Sequence, residues 1–204
     1  METTVSVHHG PYEAIADTAS PGLRFLKRFL PIVDSVDPNH EPIGPFFTPN
    51  APILIGSNPP NTASQTTPLL EVRTRHLSHF HHEVHIAWDL NLSDIDKPKP
   101  GPTDGEGPVN AVETNLYAPL PGNIPMKRTV MFEATSETIF KNDPDKFPIK
   151  VREFNILDLE GRDEADLQVV EMRVFLDSRP VQARAALLNM GSTFSESKTE
   201  AEPP

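Results

Sequence analysis

The sequence predicts an α+β fold built on a largely antiparallel sheet, and three observations carry that prediction. Residues 127–141, 149–159 and 167–177 each alternate apolar and polar side chains with the period of two of half-buried strands. The turn residues Asn142-Asp143-Pro144 and the polar run from Glu160 to Asp166 separate them, so the three follow one another as antiparallel neighbours. Ahead of them lie two stretches with helical spacing and a histidine-rich run that turns strand-like from His82 onward.

Residues 1–19 hold few large apolar side chains and are expected to form a mobile arm with His8 and His9 exposed. Ser20-Pro21 signals a helix start, a capping serine before a proline that fits the first turn. Phe25, Leu26, Phe29, Leu30 and Val33 then recur at helical spacing, with Arg24, Lys27 and Arg28 on the polar side; Pro31 is expected to kink or end the helix, and Asp34 closes its apolar stripe. Ala51–Gly56 reads as a short strand broken by Ser57-Asn58-Pro59-Pro60-Asn61. Thr66 or Thr67 is expected to cap a second helix with Pro68 at its first position.

From His82 the alternation places His82, Val84, Ile86, Trp88 and Leu90 on one face and His81, Glu83, His85, Ala87 and Asp89 on the other. Residues near 93–125 include DKPKPGPTDGEGP, too rich in proline, glycine and charge to order itself through burial, and are expected to be an insertion between paired strands. Tyr117, Leu116 and Leu120 near its end are candidates to dock. Pro180–Leu188 is expected to add a closing helical turn, and residues 191–204 a polar tail. The result is one domain over residues 20–190.

The chain of 204 residues carries 29 acidic against 18 basic side chains, a net charge of −11, with no basic run to offset it. That excludes nucleic acid and anionic membrane surfaces as natural partners. No apolar run reaches the roughly 20 residues of a membrane span, and the first residues lack the basic and apolar regions of a secretory signal. A soluble, cytoplasmic protein is expected. With no cysteine, disulfides, thiolate nucleophiles and zinc-thiolate sites are ruled out, so any chemistry rests on His, Asp, Glu, Tyr, Ser or Thr.

The order of two short helices, a small strand and four long antiparallel strands resembles the nuclear transport factor 2-like cone, in which a curved sheet wraps helices and encloses a pocket. The run EMRVFLDSRPVQAR, Glu171–Arg184, resembles the last strand of SnoaL-like members, where an aromatic-x-Asp is followed by a proline. The resemblance implies a homodimer joined through the outer face of the sheet and a pocket for a small, mostly apolar molecule. It includes cofactor-independent lyases, isomerases and cyclases of polyketide- or terpenoid-like substrates as well as members with no known catalysis, and implies neither cofactor nor metal. Arg73-Thr74-Arg75-His76 resembles the Arg-Thr-x-His stretch of scytalone dehydratase, whose histidine is catalytic; this implies a role for His76.

His82 stands on an apolar strand face, where it is either a hydrogen-bonded acid or base or a half-exposed rim residue. Asp34 can face it from the first helix as its acid–base partner, or lie in water at the helix end. Trp88, Phe132, Phe154 and Met172 are expected to supply pocket wall or core. The spacing of His79, His81, Glu83 and His85 permits metal ligation, but nothing supplies a third ligand from another element, and they read as solvated or dimer-facing residues.

Overall fold

The computed structural model describes residues 4–37, 39–93 and 125–188. The expected insertion, with Leu116, Tyr117 and Leu120, falls almost wholly outside them, as does the tail. Strands β1 (Val5–His9), β2 (Pro52–Ile55), β3 (Asn61–Thr62), β4 (Leu77–Asn91), β5 (Met126–Phe140), β6 (Ile149–Gly161) and β7 (Gln168–Leu176) form one sheet in the order β1-β4-β5-β6-β7-β2-β3. Every pairing is antiparallel except that of β2 with β7. Helices α1 (Pro21–Asp34), α2 (Ala63–Val72) and α3 (Arg179–Leu187) complete an α+β architecture.

Strands β5 to β7 and helix α1 lie where the sequence predicts them, while β4 begins at Leu77, five residues ahead of the alternation that starts at His82. Phe25, Leu26, Phe29 and Leu30 of α1 are buried against the inner face of the sheet, and Phe25, Phe29, Phe46 and Phe47 stack or meet edge-on at 5.6–5.8 Å between centroids. Aromatic packing therefore fills the space between helix and sheet. Pro31 neither ends nor breaks the helix: it is exposed, so the hydrogen bond it cannot make falls on the solvent side, and α1 runs on to Asp34.

Three expectations need correction. Residues 4–18 are not a free arm, because β1 hydrogen-bonds along β4 from Val5↔Leu90 to His9↔Ile86, and Tyr12 and Ile15 are buried. Helix α2 starts earlier than expected, capped by Thr62, whose N–H donates to Gln65 Oε1 at 3.1 Å in a capping box, so Pro68 lies inside the helix. The alternation along β4 changes phase at a register shift between Val84 and Ile86. One extra residue there, His85, turns Ile86, Trp88 and Leu90 outward and brings Ala87 and Asp89 to the core, both fully buried.

Asp89 uses its buried position to hold the start of α1. Its carboxylate accepts from Arg128 Nε at 2.8 Å and Nη2 at 2.7 Å, and from the Gly22 backbone N–H at 2.9 Å, one of the helix's unpaired N-terminal donors. The close approach requires glycine. A Cβ at residue 22 would sit 2.5 Å from Asp89 Cγ and 2.6 Å from Val130 Cγ2, and neither neighbour is a free flexible tip. Gly22→Ala is expected to lower unfolding stability by about 3 kcal/mol, through overpacking and disruption of a buried pair. Urea denaturation measures it, and a loss below about 1 kcal/mol would show that the contact yields easily.

Candidate acid–base site

At its other end α1 meets β4 again. Strand β1 covers β4 only as far as Ile86, with one further bond from Gly10 N–H to His85 O, so the β4 edge beyond is open to side chains. Asp34, the last residue of α1, fills that edge. Its Oδ2 accepts from the His82 backbone N–H at 2.9 Å and from Tyr12 Oη at 3.1 Å, and lies 3.1 Å from His81 Nδ1. Its Oδ1 pairs with His82 Nδ1.

On its far side, His82 Nε2 lies 2.9 Å from Glu153 Oε1, which also accepts from Asn155 Nδ2 at 2.9 Å. Glu153 and Asn155 stand on the inner face of β6, paired across to Ala134 and Phe132. Tyr12, Asp34, His82, Glu153 and Asn155 are all buried. Neutral imidazole has a single N–H to donate, whereas its cation has two, so only the cation satisfies both ionised carboxylates.

The charge states follow from that geometry. Burial works against the charge on His82, but its hydrogen bonds and attraction to Asp34 and Glu153 outweigh burial and push its pKa up to about 9. Burial likewise opposes ionisation of Asp34 and Glu153, yet the hydrogen bonds and charge of His82 hold both below the ordinary carboxylate range. Burial and the neighbouring Asp34 push the Tyr12 hydroxyl upward, so it remains a donor.

Arg73, in a short 3-10 turn (Arg73–Arg75) between α2 and β4, is also buried, with its guanidinium carbon 4.6 Å from the centre of the Phe80 ring. Phe80 in turn meets His82 edge-on at 5.0 Å. Burial drives the Arg73 pKa down to about 10 despite the Asp34 and Glu71 charges near it.

Of the residues the sequence singles out, the structure brings His82 and Asp34 into contact. His76 caps the 3-10 turn just ahead of β4, six positions before His82, and the contacts that join Asp34, His82 and Glu153 do not involve it. Phe132 is fully buried core, and Met172 packs partly buried against that core. Trp88 and Phe154 stand on the outer face, 6.4 Å apart between rings, with Phe175 6.5 Å beyond Phe154, so they wall no interior pocket. An open groove of about 290 Å³ also lies on the outer face, lined by His79, His81, Glu83, Thr135, Glu137 and Lys150.

Glu153 and Tyr12 are absent from the sequence reading. Glu153 was recoverable, since Val151, Glu153, Asn155, Leu157 and Leu159 share one strand face and a glutamate with an asparagine interrupts that apolar row. Tyr12 falls among the residues expected to form an arm.

No protein-family model matches the chain, and no curated protein matches it. Among solved structures, PrhC from Penicillium brasilianum NBRC 6234 superposes with a TM-score of 0.51 at 12% identity, covering 84% of this chain and 92% of that one. The NTF2-like domain of Mex67 from Chaetomium thermophilum, complexed with Mtr2, superposes with a TM-score of 0.47 at 12% identity over 75% of this chain and 94% of that one. The chain shares the fold of PrhC, an α+β architecture of the nuclear transport factor 2-like kind. At such identities the likeness concerns the fold alone. Among the described residues of this nuclear transport factor 2-like chain, no helix is long and apolar enough to cross a membrane.

The raised pKa of His82 makes stability depend on pH with a definite sign. A histidine whose pKa rises on folding contributes in full below its unfolded value near 6.5, and loses that contribution as pH climbs through about 9. Asp34 and Glu153 act oppositely, contributing above their unfolded values and losing it as acid protonates them. Unfolding free energy is expected to fall by about 3 kcal/mol between pH 6.5 and 9, and His82→Gln to flatten that slope. Urea titrations across this range check it; an unchanged slope in the variant would remove His82 as the cause.

Proposed function

We propose that the chain is a SnoaL-like, small-molecule-binding protein that carries out cofactor-independent proton transfer, as a lyase, isomerase or cyclase. The observation that carries this reading is the buried order Tyr12–Asp34–His82–Glu153, an imidazolium held between two carboxylates. Asp34 is fully engaged, with both oxygens accepting, and serves as anchor. Glu153 is the group that exchanges a proton with the substrate, and His82 behind it stabilises its ionised form and holds its orientation. The resemblance to SnoaL-like proteins supports a small, mostly apolar, polyketide- or terpenoid-like substrate.

The test begins with mass spectrometry of small molecules that co-purify with the protein, followed by turnover assays on those found. Glu153→Gln, which keeps shape and removes the base, is expected to lower kcat by about a hundredfold or more. His82→Gln is expected to shift the pH optimum as well as the rate. Turnover that survives Glu153→Gln unchanged would remove the assignment.

A second reading, a non-catalytic dimerisation domain, is favoured by the outer face of the sheet. Val5, Val7 and Phe175 are about half exposed there, and Val7, Trp88, Met131 and Ile156 share one cross-strand row. A homodimer through this face suits either reading, because an apolar sheet surface with charged neighbours such as Arg152 and Glu133 fits a two-fold, self-complementary contact. Phe175→Glu is expected to convert the dimer to monomer in sedimentation velocity at tens of micromolar, as a rough working concentration. A wild-type monomer at that concentration would count against the dimer without touching the acid–base site.

A further inference from the structure

The chain contains its own reference for how an arginine holds a carboxylate. In Arg128, Arg179 and Arg184 the edge formed by Nε and Nη2 faces an aspartate: Asp89 at 2.8 and 2.7 Å, Asp177 at 2.8 and 2.7 Å, and Asp143 through the same two atoms. That edge matches the spacing of two carboxylate oxygens. In Arg73 the same two atoms, Nε and Nη2, are buried and have no hydrogen-bond partner among the described residues.

A buried guanidinium edge without acceptors is costly, because it has lost water and gained nothing in return. The neighbouring carboxylates attract the charge but accept no hydrogen bond from that edge. Asp34 is committed to His82, Tyr12 and His81, and Glu71 accepts from the Ile43 N–H and lies 3.3 Å from His40 Nε2; neither reaches Nε or Nη2. The guanidinium is nonetheless held over the Phe80 ring. Thr66 Oγ1, seven residues back and close to two turns along α2, is a second buried polar atom without a partner. Phe80 carries the Arg73 guanidinium over its ring and meets the His82 ring at a right angle, so the unpaired fork lies one ring away from the acid–base cluster.

We infer that Arg73 is the anchor for a carboxylate, or an equivalent pair of anionic oxygens, on the small molecule this protein binds, with Thr66 as an additional donor. The inference rests on the proposed small-molecule reading for the ligand and adds its chemical class: an acid whose apolar body reaches from Arg73 past Phe80 toward His82 and Glu153. A single buried guanidinium among apolar neighbours favours a singly charged carboxylate over a doubly charged phosphate, whose second charge would lie desolvated and unpaired. Arg73 is a binding residue in this scheme, distinct from the groups that move the proton.

The probes are benzoate, its neutral analogue benzamide, and inorganic phosphate, titrated against the full chain. Benzoate is expected to shift the Arg73 Nε–H resonance in the nitrogen-15 NMR spectrum and to raise the melting temperature. Benzamide should do neither, and phosphate should act more weakly than benzoate. Arg73→Met removes the unpaired charge while keeping bulk, so it should melt no lower than wild type without ligand and bind benzoate about tenfold or more weakly. The wild-type resonance keeps the test valid if that variant folds poorly. An Arg73 resonance unmoved by benzoate, or equal benzoate stabilisation of wild type and Arg73→Met, overturns the inference; phosphate acting more strongly than benzoate overturns the carboxylate preference. Because the readout is binding, a failure of Glu153 to support turnover leaves this result standing, and a failure here leaves the proton-transfer cluster untouched.

Discussion

Helix α1 is fastened to strand β4 at both ends by aspartates that run in opposite directions. Asp89 reaches from the strand to the Gly22 N–H at the helix start, and Asp34 reaches from the helix end to the His82 N–H on the strand. The two spans fit: twelve residues of helix from Gly22 to Asp34 and seven of strand from His82 to Asp89 both cover roughly 20 Å at their usual rises. Each clamp satisfies backbone donors that secondary structure leaves open, a helix terminus in one case and a strand edge in the other. The aromatic filling between them fixes the distance from helix to sheet, so helix position, strand register and acid–base geometry form a single constraint.

That constraint explains why charge can be kept so deep. Isolated carboxylates or imidazolium ions at this depth would lose their charges, whereas an alternation of acid, base and acid with both imidazolium protons engaged keeps them. The two carboxylates are unequal because of what surrounds them. Asp34 receives four polar groups from three residues, one of them the His82 backbone N–H, while Glu153 is held by the side chains of His82, Asn155 and Ser136 alone. On the proposed reading, a scaffold residue and a working residue come from the same functional group placed in two environments.

The sequence makes the long strands legible because their period of two survives across whole segments, and it makes α1 legible because its apolar stripe is continuous. The meeting of Asp34 with His82 is readable too, since each closes an apolar pattern and must bury or expose its charge at that point. What escapes is whatever depends on pairing. Val5–His9 carries no burial signal, because its stability comes from hydrogen bonds to β4 and not from a buried face of its own. The phase change at His85 leaves no composition mark, since histidine, isoleucine and tryptophan suit either face, and so Trp88 reads as interior. Arg73 is visible in the Arg-Thr-Arg-His stretch, but only its burial without an acceptor marks it out.

The phase change at His85 has one practical result. It carries the chain's single tryptophan, Trp88, out of the core and onto the outer face beside Phe154. Intrinsic emission from this protein therefore comes from a fluorophore on the sheet's exterior, remote from the packed phenylalanines that hold the helix. Its wavelength and quenching follow what covers that exterior, and its signal can change while the interior stays folded. The same residue makes the protein its own label for events at its surface.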